Sequence, residues 1–466
     1  MKHLLILLAV ISSFSATIQA RNVKGTVTCG RKNLSGVIVT DGKKFTSTDK
    51  NGSFEMDIHD DASFVYIVTP SGYAADWSTG VPQFYQKAEG KNSFNFDLKK
   101  LPESKSTYSI LAIGDPQPSK EEHVAEFSQR PLADLTQTAS SLSGQIVGIA
   151  LGDICFDVFP LMDRWKEVIV RTGIPVYTVP GNHDHNKKIK GDDNAIDGYR
   201  ERFGPENHAF MIGKDVVILL DNIIYHAYSG YELGYTEAVI DWVTGLNRHI
   251  PEDADIYIAQ HSSANGRHYT GGMITRYDAL VNALKGHKIT FLSGHNHTNR
   301  NFEYAPGITE HNIAAICGTW WDVYHCTDGT PRGYKVFTKN GKNLEWYYKS
   351  IGKDRNFQYE IYRPGQTRQH PDCIVVNAWD YDEHWSITWS EDGKAMGPMT
   401  HVEEYSPMHE ASMKELYEKK ERKIPTYRQT KKSRHYFAAK PSESAKKITI
   451  EIKDRFGNSW TENIEL

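Results

Sequence analysis

Short apolar runs alternate with longer amphipathic stretches through the middle of this chain. The short runs are rich in β-branched residues, which predicts buried strands; they span residues 108–113, 146–151, 175–179, 255–259 and 288–292. The longer stretches have apolar residues at helical spacing; they span residues 123–142, 161–171, 195–203, 237–246 and 276–284. This alternation predicts an α/β domain over residues 107–330.

The two ends of the chain carry strand patterns instead. Residues 23–27, 36–40 and 63–68 are strand-like, and Gly at positions 42 and 52 follows Asp or Asn in turn signals. These features predict an N-terminal β-sandwich over residues 21–100. Further strand-like runs predict a C-terminal β-rich domain over residues 331–466, in which residues 408–423 have the composition of a charged surface helix.

Each predicted central strand is followed by side chains that bind metals. The five motifs are Gly114-Asp115-Pro116-Gln117, Gly152-Asp153, Gly181-Asn182-His183-Asp184, Gln260-His261 and Gly294-His295-Asn296-His297. Ligands in α/β folds gather beyond the carboxyl ends of the strands, so we expect these side chains to lie together. Carboxylates, amides and imidazoles without cysteine favour a catalytic two-metal site over a structural zinc site.

The order of these motifs resembles the calcineurin-like metallophosphoesterases, in particular exported bacterial enzymes with N- and C-terminal β domains. The resemblance implies two packed mixed β-sheets flanked by helices. It also implies that Asp153 bridges two divalent transition-metal ions such as Mn, Fe or Zn. The remaining ligands implied are Asp115, His297 and Gln117 for one metal, and Asn182, His261 and His295 for the other.

Two positions depart from the patterns of the family. Gln117 stands where most members have a histidine, and an amide oxygen is a weaker ligand that does not titrate. Phe156 stands where the purple acid phosphatases have a metal-binding tyrosine. We therefore expect a weaker first metal site and no iron-tyrosinate chromophore.

The ligand set and the resemblance together imply a hydrolytic reaction. A metal-bound hydroxide would attack phosphorus in line, without a covalent enzyme intermediate. The resemblance gives His183 the role of contacting the phosphate or protonating the leaving oxygen. A carboxylate would fix its tautomer, and the sequence leaves Asp157 and Asp184 as alternatives.

The expected substrate is a small organic phosphate monoester or diester. An aromatic segment after the last motif supplies Trp320, Trp321 and His325 as candidate substrate contacts, beside His183 and His185. Packing in the core is the alternative for the aromatic residues. Residues Asp192, Asp193 and Tyr199 line an opposite wall or belong to a solvated loop and helix start. With 54 basic and 58 acidic residues, the chain has no broad positive charge for nucleic acid.

The first twenty residues have the pattern of a secretory signal peptide. Lys2 and His3 precede an apolar stretch, and Ala20 is a small residue suited to cleavage before Arg21. No other apolar stretch is long enough to span a bilayer. We therefore expect a periplasmic or secreted protein. In the N-terminal domain, the pattern Gly36-Val37-x-Val39-x-Asp41-Gly42 followed by Thr48-Asp49-x-Asn51-Gly52-x-Phe54 resembles the carboxypeptidase-regulatory-like and transthyretin-like accessory domains of exported enzymes.

Two further alternatives follow from the sequence. Of the five cysteines, Cys317 and Cys326 are close enough in the chain to form a disulfide. The protein could instead be a non-catalytic exported protein that binds glycans or a cell surface and only holds metal. The presence of every other expected ligand favours the enzyme, and Gln117 is the one sign of a degenerate site.

Overall fold

The computed structural model describes residues 21–102, 107–227, 230–265 and 272–466. The predicted signal peptide, residues 1–20, lies outside the described residues. Among the helices that are described, none combines the length and the apolar character needed to cross a membrane.

The N-terminal region is built from strands. They are β1 (Arg21–Cys29), β2 (Lys32–Asn33), β3 (Ile38–Thr40), β4 (Phe45–Ser47), β5 (Ser53–Ile58), β6 (Phe64–Ile67), β7 (Tyr73–Ala74), β8 (Tyr85–Lys87), β9 (Ser93–Asp97) and β10 (Lys99–Lys100). One sheet has β1 between β2 and β5, with β9 also paired to β1, and the other has the order β4-β3-β6-β8. Alternate residues of β5, namely Phe54, Met56 and Ile58, are buried. Both sheets therefore bury an apolar face in a common core.

The central region alternates strands and helices. In chain order they are β11 (Thr107–Ile113), α1 (Glu121–Gln129), α2 (Pro131–Ser141), β12 (Gln145–Ala150), α3 (Pro160–Ile169), β13 (Val176–Thr178), α4 (Asp192–Ala195), α5 (Asp197–Phe203), β14 (His208–Ile212), β15 (Asp215–Leu219), β16 (Ile223–Ala227), β17 (Gly230–Leu233), α6 (Glu237–Asn247), β18 (Ile256–Ala259), α7 (Tyr277–Ala283), β19 (Ile289–Ser293), β20 (Arg300–Ala305), β21 (Ile308–Asn312), β22 (Gly333–Asn340) and β23 (Asn343–Ser350).

These elements form two mixed sheets. The first has the order β13-β12-β11-β22-β23 and the second β14-β15-β18-β19-β21-β20. The sheets face each other, as the hydroxyls of Tyr108 in β11 and Tyr257 in β18 lie 3.0 Å apart in the buried space between them. Helices cover the outside, where the Tyr334 hydroxyl of β22 donates to Asp134 of α2. The predicted fold class is confirmed.

Two details differ from the sequence prediction. The helix predicted over residues 123–142 is two helices, because Pro131 lacks the N–H that a continuing helix needs and instead begins α2. The strands β22 and β23 belong to the first central sheet, where β22 runs antiparallel to β11. That sheet thus continues past residue 330, into the segment predicted to be C-terminal.

The rest of the chain forms two further sheets and a helix. The elements are β24 (Glu360–Tyr362), β25 (Ile374–Asn377), β26 (Ser386–Glu391), β27 (Lys394–Pro398), β28 (Thr400–Glu404), α8 (Pro407–Lys419), β29 (Ser433–Ala439), β30 (Lys447–Lys453) and β31 (Ser459–Glu465). The strand orders are β24-β25-β29-β28 and β27-β26-β30-β31. A separate apolar cluster lies between them.

The suggested disulfide is wrong. Cys317 and Cys326 are both buried as free thiols, and so the five cysteines within the described residues form no bridge. The Cys326 thiol instead points to the Ala315 carbonyl oxygen, at 3.6 Å. Proximity in sequence did not bring the two side chains into disulfide geometry.

Candidate metal centre

The predicted ligands lie on loops that leave the carboxyl ends of neighbouring strands. Asp115 follows β11, Asp153 follows β12 and Asn182 follows β13 in the first sheet. The second sheet supplies His261 after β18 and His295 after β19. Because β11, β12 and β13 run parallel, and β18 and β19 do too, these loops emerge at one end of the two sheets.

Four side chains converge at the centre of this end. The His261 Nε2 atom lies 3.1 Å from Asn182 Oδ1, 3.0 Å from His295 Nδ1 and 3.3 Å from a carboxylate oxygen of Asp153. Asp153, His261 and His295 offer ligand atoms that all lie within 4.8 Å of one another. Two imidazole nitrogens, an amide oxygen and a carboxylate around one point suit Zn, Fe or Mn.

The hydrogen bonds of His261 fix which nitrogen faces the centre. Its Nδ1 atom lies 2.7 Å from the Leu151 carbonyl oxygen and donates to it, which leaves Nε2 for a ligand bond. Burial disfavours an imidazolium here, but the Asp153 carboxylate outweighs it and raises the pKa of His261 to about 9. Burial and the neighbouring His261 lower the pKa of His295 to about 3. A proton and a cation therefore compete for Nε2 of His261, whereas His295 stays unprotonated near neutral pH.

A second group of donors lies on the other side of Asp153. The His297 Nε2 atom is 3.5 Å from Asp115 Oδ1. The Gln117 amide nitrogen donates to the second carboxylate oxygen of Asp153. Asp153 is thus shared between the two groups, as expected for a bridging ligand.

Two buried atoms of this second group have no partner among the described residues. They are the amide oxygen of Gln117 and Nδ1 of His297. Leaving such atoms unpaired in a buried site costs free energy, and a bound cation would satisfy an amide oxygen. The donors of both groups fit a pair of divalent metal ions, and the unpaired amide oxygen of Gln117 is one of these donors.

Glycines allow the loops to approach one another. A Cβ at Gly181 would lie 2.2 Å from a carboxylate oxygen of Asp153, and one at Gly294 would lie 2.5 Å from Asp115 Oδ2. A Cβ at Gly152 would lie 2.6 Å from Nδ1 of His261. The glycine that opens each of these three motifs therefore makes room for a ligand from another motif.

Asp157, and not Asp184, contacts the imidazole of His183. Nδ1 of His183 lies 2.9 Å from Asp157 Oδ1, and its ring stacks on Phe156 with ring centres 4.0 Å apart. The backbone N–H of His183 donates to Asp153. His183 therefore lies beside the donor groups with its tautomer set by Asp157.

Asp184 has a different role from the one considered for it. Its carboxylate accepts the backbone N–H groups of Gly181, Ile154 and Cys155. Burial and the nearby charge of Asp153 raise its pKa to about 7. Asp184 thus ties the loop of Asp153 to the loop of Asn182.

The two predicted tryptophans have separate surroundings. The Trp320 ring centre lies 4.8 Å from that of His297, beside the second donor group. Trp321 is buried, and its indole N–H donates to the Pro116 carbonyl oxygen. Trp321 therefore packs beneath the surface and holds the loop of the first motif through Pro116, while Trp320 borders the donors.

The structure does not bring three other candidates to the donors. His185 is buried between the Gly181 carbonyl oxygen and Asp221. His325 faces Glu360, at 3.5 Å, and Tyr199 shares a buried hydrogen bond with Thr178. Sequence proximity to a motif placed them as candidates, but their side chains point into packing contacts.

Three neighbours of the site were not predicted. Lys187 lies 2.8 Å from the Asp157 carboxylate and 3.1 Å from Nδ1 of His183. Tyr427 and Arg428, from the C-terminal region, both contact the Trp320 ring. The position of Lys187, four residues after His183, is a sequence signal that could have indicated it. No sequence pattern links residues 427 and 428 to Trp320.

Family comparisons divide the chain into three matched segments. The family described as calcineurin-like phosphoesterase matches residues 108–299. The family described as the N terminal of calcineurin-like phosphoesterase matches residues 21–101, and the C terminal of calcineurin-like phosphoesterase matches residues 310–460. No curated protein matches the sequence.

Solved structures resemble this chain only distantly. A dimetal phosphatase from Danio rerio is 11% identical over 53% of this chain and 98% of its own, with a TM-score of 0.37. A 5'-nucleotidase from Candida albicans is 11% identical over 54% of this chain and 52% of its own, with a TM-score of 0.34. A phosphopantetheinyl hydrolase from Mycobacterium tuberculosis is 12% identical over 46% and 91%, with a TM-score of 0.30. Likeness at this level carries no argument about the substrate.

Proposed function

Because this chain belongs to the calcineurin-like metallophosphoesterases with N- and C-terminal domains, we propose that it hydrolyses small organic phosphate esters outside the cytoplasm. The chain is a metal-dependent phosphoester hydrolase. The proposal adds two divalent transition-metal ions, phosphate monoesters or diesters as substrates, and export.

One observation carries the proposal. His261 Nε2 lies within 3.3 Å of Asn182, His295 and Asp153, while its other nitrogen is bound to the backbone. Those side chains come from loops on both sheets, and burying two histidines against a carboxylate has no evident benefit for folding alone. A centre that holds a cation accounts for the arrangement.

The side chains divide the work. Asp115, Gln117 and His297 would hold one metal, and Asn182, His261 and His295 the other, with Asp153 shared. When bound, the metals supply Lewis acidity and an activated water. With Nδ1 of His183 held by Asp157, its Nε2 atom remains to contact a phosphoryl oxygen or to protonate the leaving oxygen.

Export is supported by the N-terminal sequence. A basic start, an apolar stretch and Ala20 before Arg21 form the pattern of a cleaved signal peptide. We propose a periplasmic or secreted location, which N-terminal sequencing of the protein from culture fractions would test.

The activity is tested with mature protein that has been stripped of metal and reloaded with Mn, Zn, Fe, Ni or Co. Hydrolysis of p-nitrophenyl phosphate and bis-p-nitrophenyl phosphate would then be measured. We expect metal-dependent turnover of at least one ester, and their ratio identifies monoesterase or diesterase preference. We expect Asp153→Asn to abolish turnover and release metal.

A matched control makes this result specific. Asp372→Asn removes the same charge from an exposed carboxylate that is paired only with surface Lys440, and it should keep both turnover and metal. Absence of turnover with every metal and with a wider set of phosphate esters, despite two bound ions per chain, would overturn the proposal.

A further inference from the structure

The C-terminal region reaches the edge of the metal centre. Tyr427 lies in a short 3-10 helix, Thr426–Arg428, and its ring meets the Trp320 ring edge-on with centres 5.5 Å apart. Trp320 in turn lies against His297. Tyr427 therefore contacts Trp320, and Trp320 contacts His297, a predicted metal ligand.

The aromatic pair is held in position and partly open. Tyr427 is 61% exposed, so much of its ring is open to a ligand. Trp320 has a φ of 49°, a left-handed conformation that is costly for a bulky residue. The fold keeps this strain at the position that turns the indole toward His297.

One carboxylate next to the pair holds two cationic side chains. The Arg428 guanidinium lies 5.3 Å from the Trp320 ring centre and is paired with Asp322. Lys420 lies 3.6 Å from the same carboxylate. These contacts fasten residues 426–428 to the loop of Trp320 and so hold Tyr427 beside its ring.

We propose that Trp320 and Tyr427 form a subsite that binds a planar ring in the leaving group of the substrate. This inference rests on the proposed function and names its substrate class, namely phosphate esters of aryl or other flat, unsaturated ring alcohols. An ester whose phosphorus lies at the metal centre would extend its leaving group past His297, where the two rings meet it. The C-terminal region then contributes directly to specificity.

The test compares aryl with alkyl leaving groups. For metal-loaded wild type and Tyr427→Ala, kcat/KM is measured on phenyl phosphate and on propyl phosphate. Aromatic pairing of this kind corresponds to roughly tenfold in affinity, so the aryl-to-alkyl ratio of kcat/KM should fall about tenfold in the variant. In the same variant, the inhibition constant of phenylphosphonate should rise by a similar factor, while that of methylphosphonate should stay the same.

Tyr427→Phe keeps the ring, so it should keep the aryl-to-alkyl ratio. Trp385→Ala removes a partly exposed indole that stacks on Trp460 elsewhere in the C-terminal region, and it should change neither ester. Tyr427 is exposed, so loss of folding is not expected, and circular dichroism checks this. An unchanged ratio in Tyr427→Ala, with both esters turned over by wild type, overturns the subsite alone. If wild type turns over neither these monoesters nor the matching diesters, diphenyl and dipropyl phosphate, with any of the metals, the proposed function is overturned instead.

Discussion

Substitution of Gly181 by alanine provides a stringent test of the metal centre. Gly181 contributes no side chain to the site, so any loss must come from displacing its neighbours. An added Cβ would lie 2.2 Å from Asp153 Oδ1 and 2.3 Å from Asp153 N. The second contact is to backbone, so rotating the Asp153 side chain does not relieve it.

The displacement sets the size of the effect. Ordinary contacts of a Cβ begin at 3.4 Å, so Asp153 and residue 181 must separate by about 1 Å. A displacement of about 1 Å in a catalytic group costs on the order of 100-fold in rate. We therefore expect kcat/KM for the better p-nitrophenyl ester to fall about 100-fold, with loss of at least one metal ion per chain.

The assay pairs kinetics with metal content measured by mass spectrometry. Gly341→Ala is the control, because no atom of the described residues lies within 4 Å of a Cβ there. It follows β22, whose end pairs with the start of β11 and not with the end that carries Asp115, so its left-handed φ can cost stability without moving a ligand. Circular dichroism and the melting temperature show whether each variant folds. A folded Gly181→Ala enzyme with wild-type rate and metal content would refute the placement of Asp153 at the centre.

Three further predictions concern separate parts of the chain. Asp157→Asn should lower kcat about 100-fold at unchanged metal content, because His183 loses its orienting carboxylate; metal analysis beside turnover checks this. Burial lowers the pKa of His208 to about 3. Below the ordinary pKa of histidine, the unfolded chain therefore binds a proton that the folded chain does not, and the free energy of unfolding decreases as the pH is lowered. From about pH 7 to about pH 5, urea unfolding should show about 2 kcal/mol more loss in wild type than in His208→Gln. Lys335→Ala should cost about 3–5 kcal/mol in urea, because it leaves Asp380 buried and unpaired, whereas joint replacement of both by apolar residues should recover most of it.

The arrangement of the centre could be predicted because local patterns determine it. Each ligand directly follows an apolar strand, and parallel strands end on the same side of their sheet. The same logic did not reveal which sheet the strands after residue 330 join, because their alternation is the same in either sheet. In the structure β22 pairs with β11, which lies more than two hundred residues earlier in the chain, and β23 pairs with β22.

Side-chain surroundings were harder to predict than positions. His185 closely follows a motif and His325 belongs to the aromatic segment after the last motif, yet both are directed into contacts away from the donors. The choice between Asp157 and Asp184 as the partner of His183 depended on a loop geometry that spacing does not determine. The Tyr427 contact joins two regions whose patterns are independent, so it required the tertiary structure.

The backbone conformation of the donor residues supports the centre without reference to any family. Five of the seven predicted ligands have positive φ values; these are Asp115, Gln117, Asp153, His295 and His297. Each such residue costs of the order of 1 kcal/mol or more, which a fold retains only where the surrounding structure imposes it. The need for a tight turn does not explain why these strained residues are metal donors, because glycine at the same positions would make the turn without strain. The side chains must therefore be required at these positions, and the pair of cations that we propose for this centre is a requirement that all five would share.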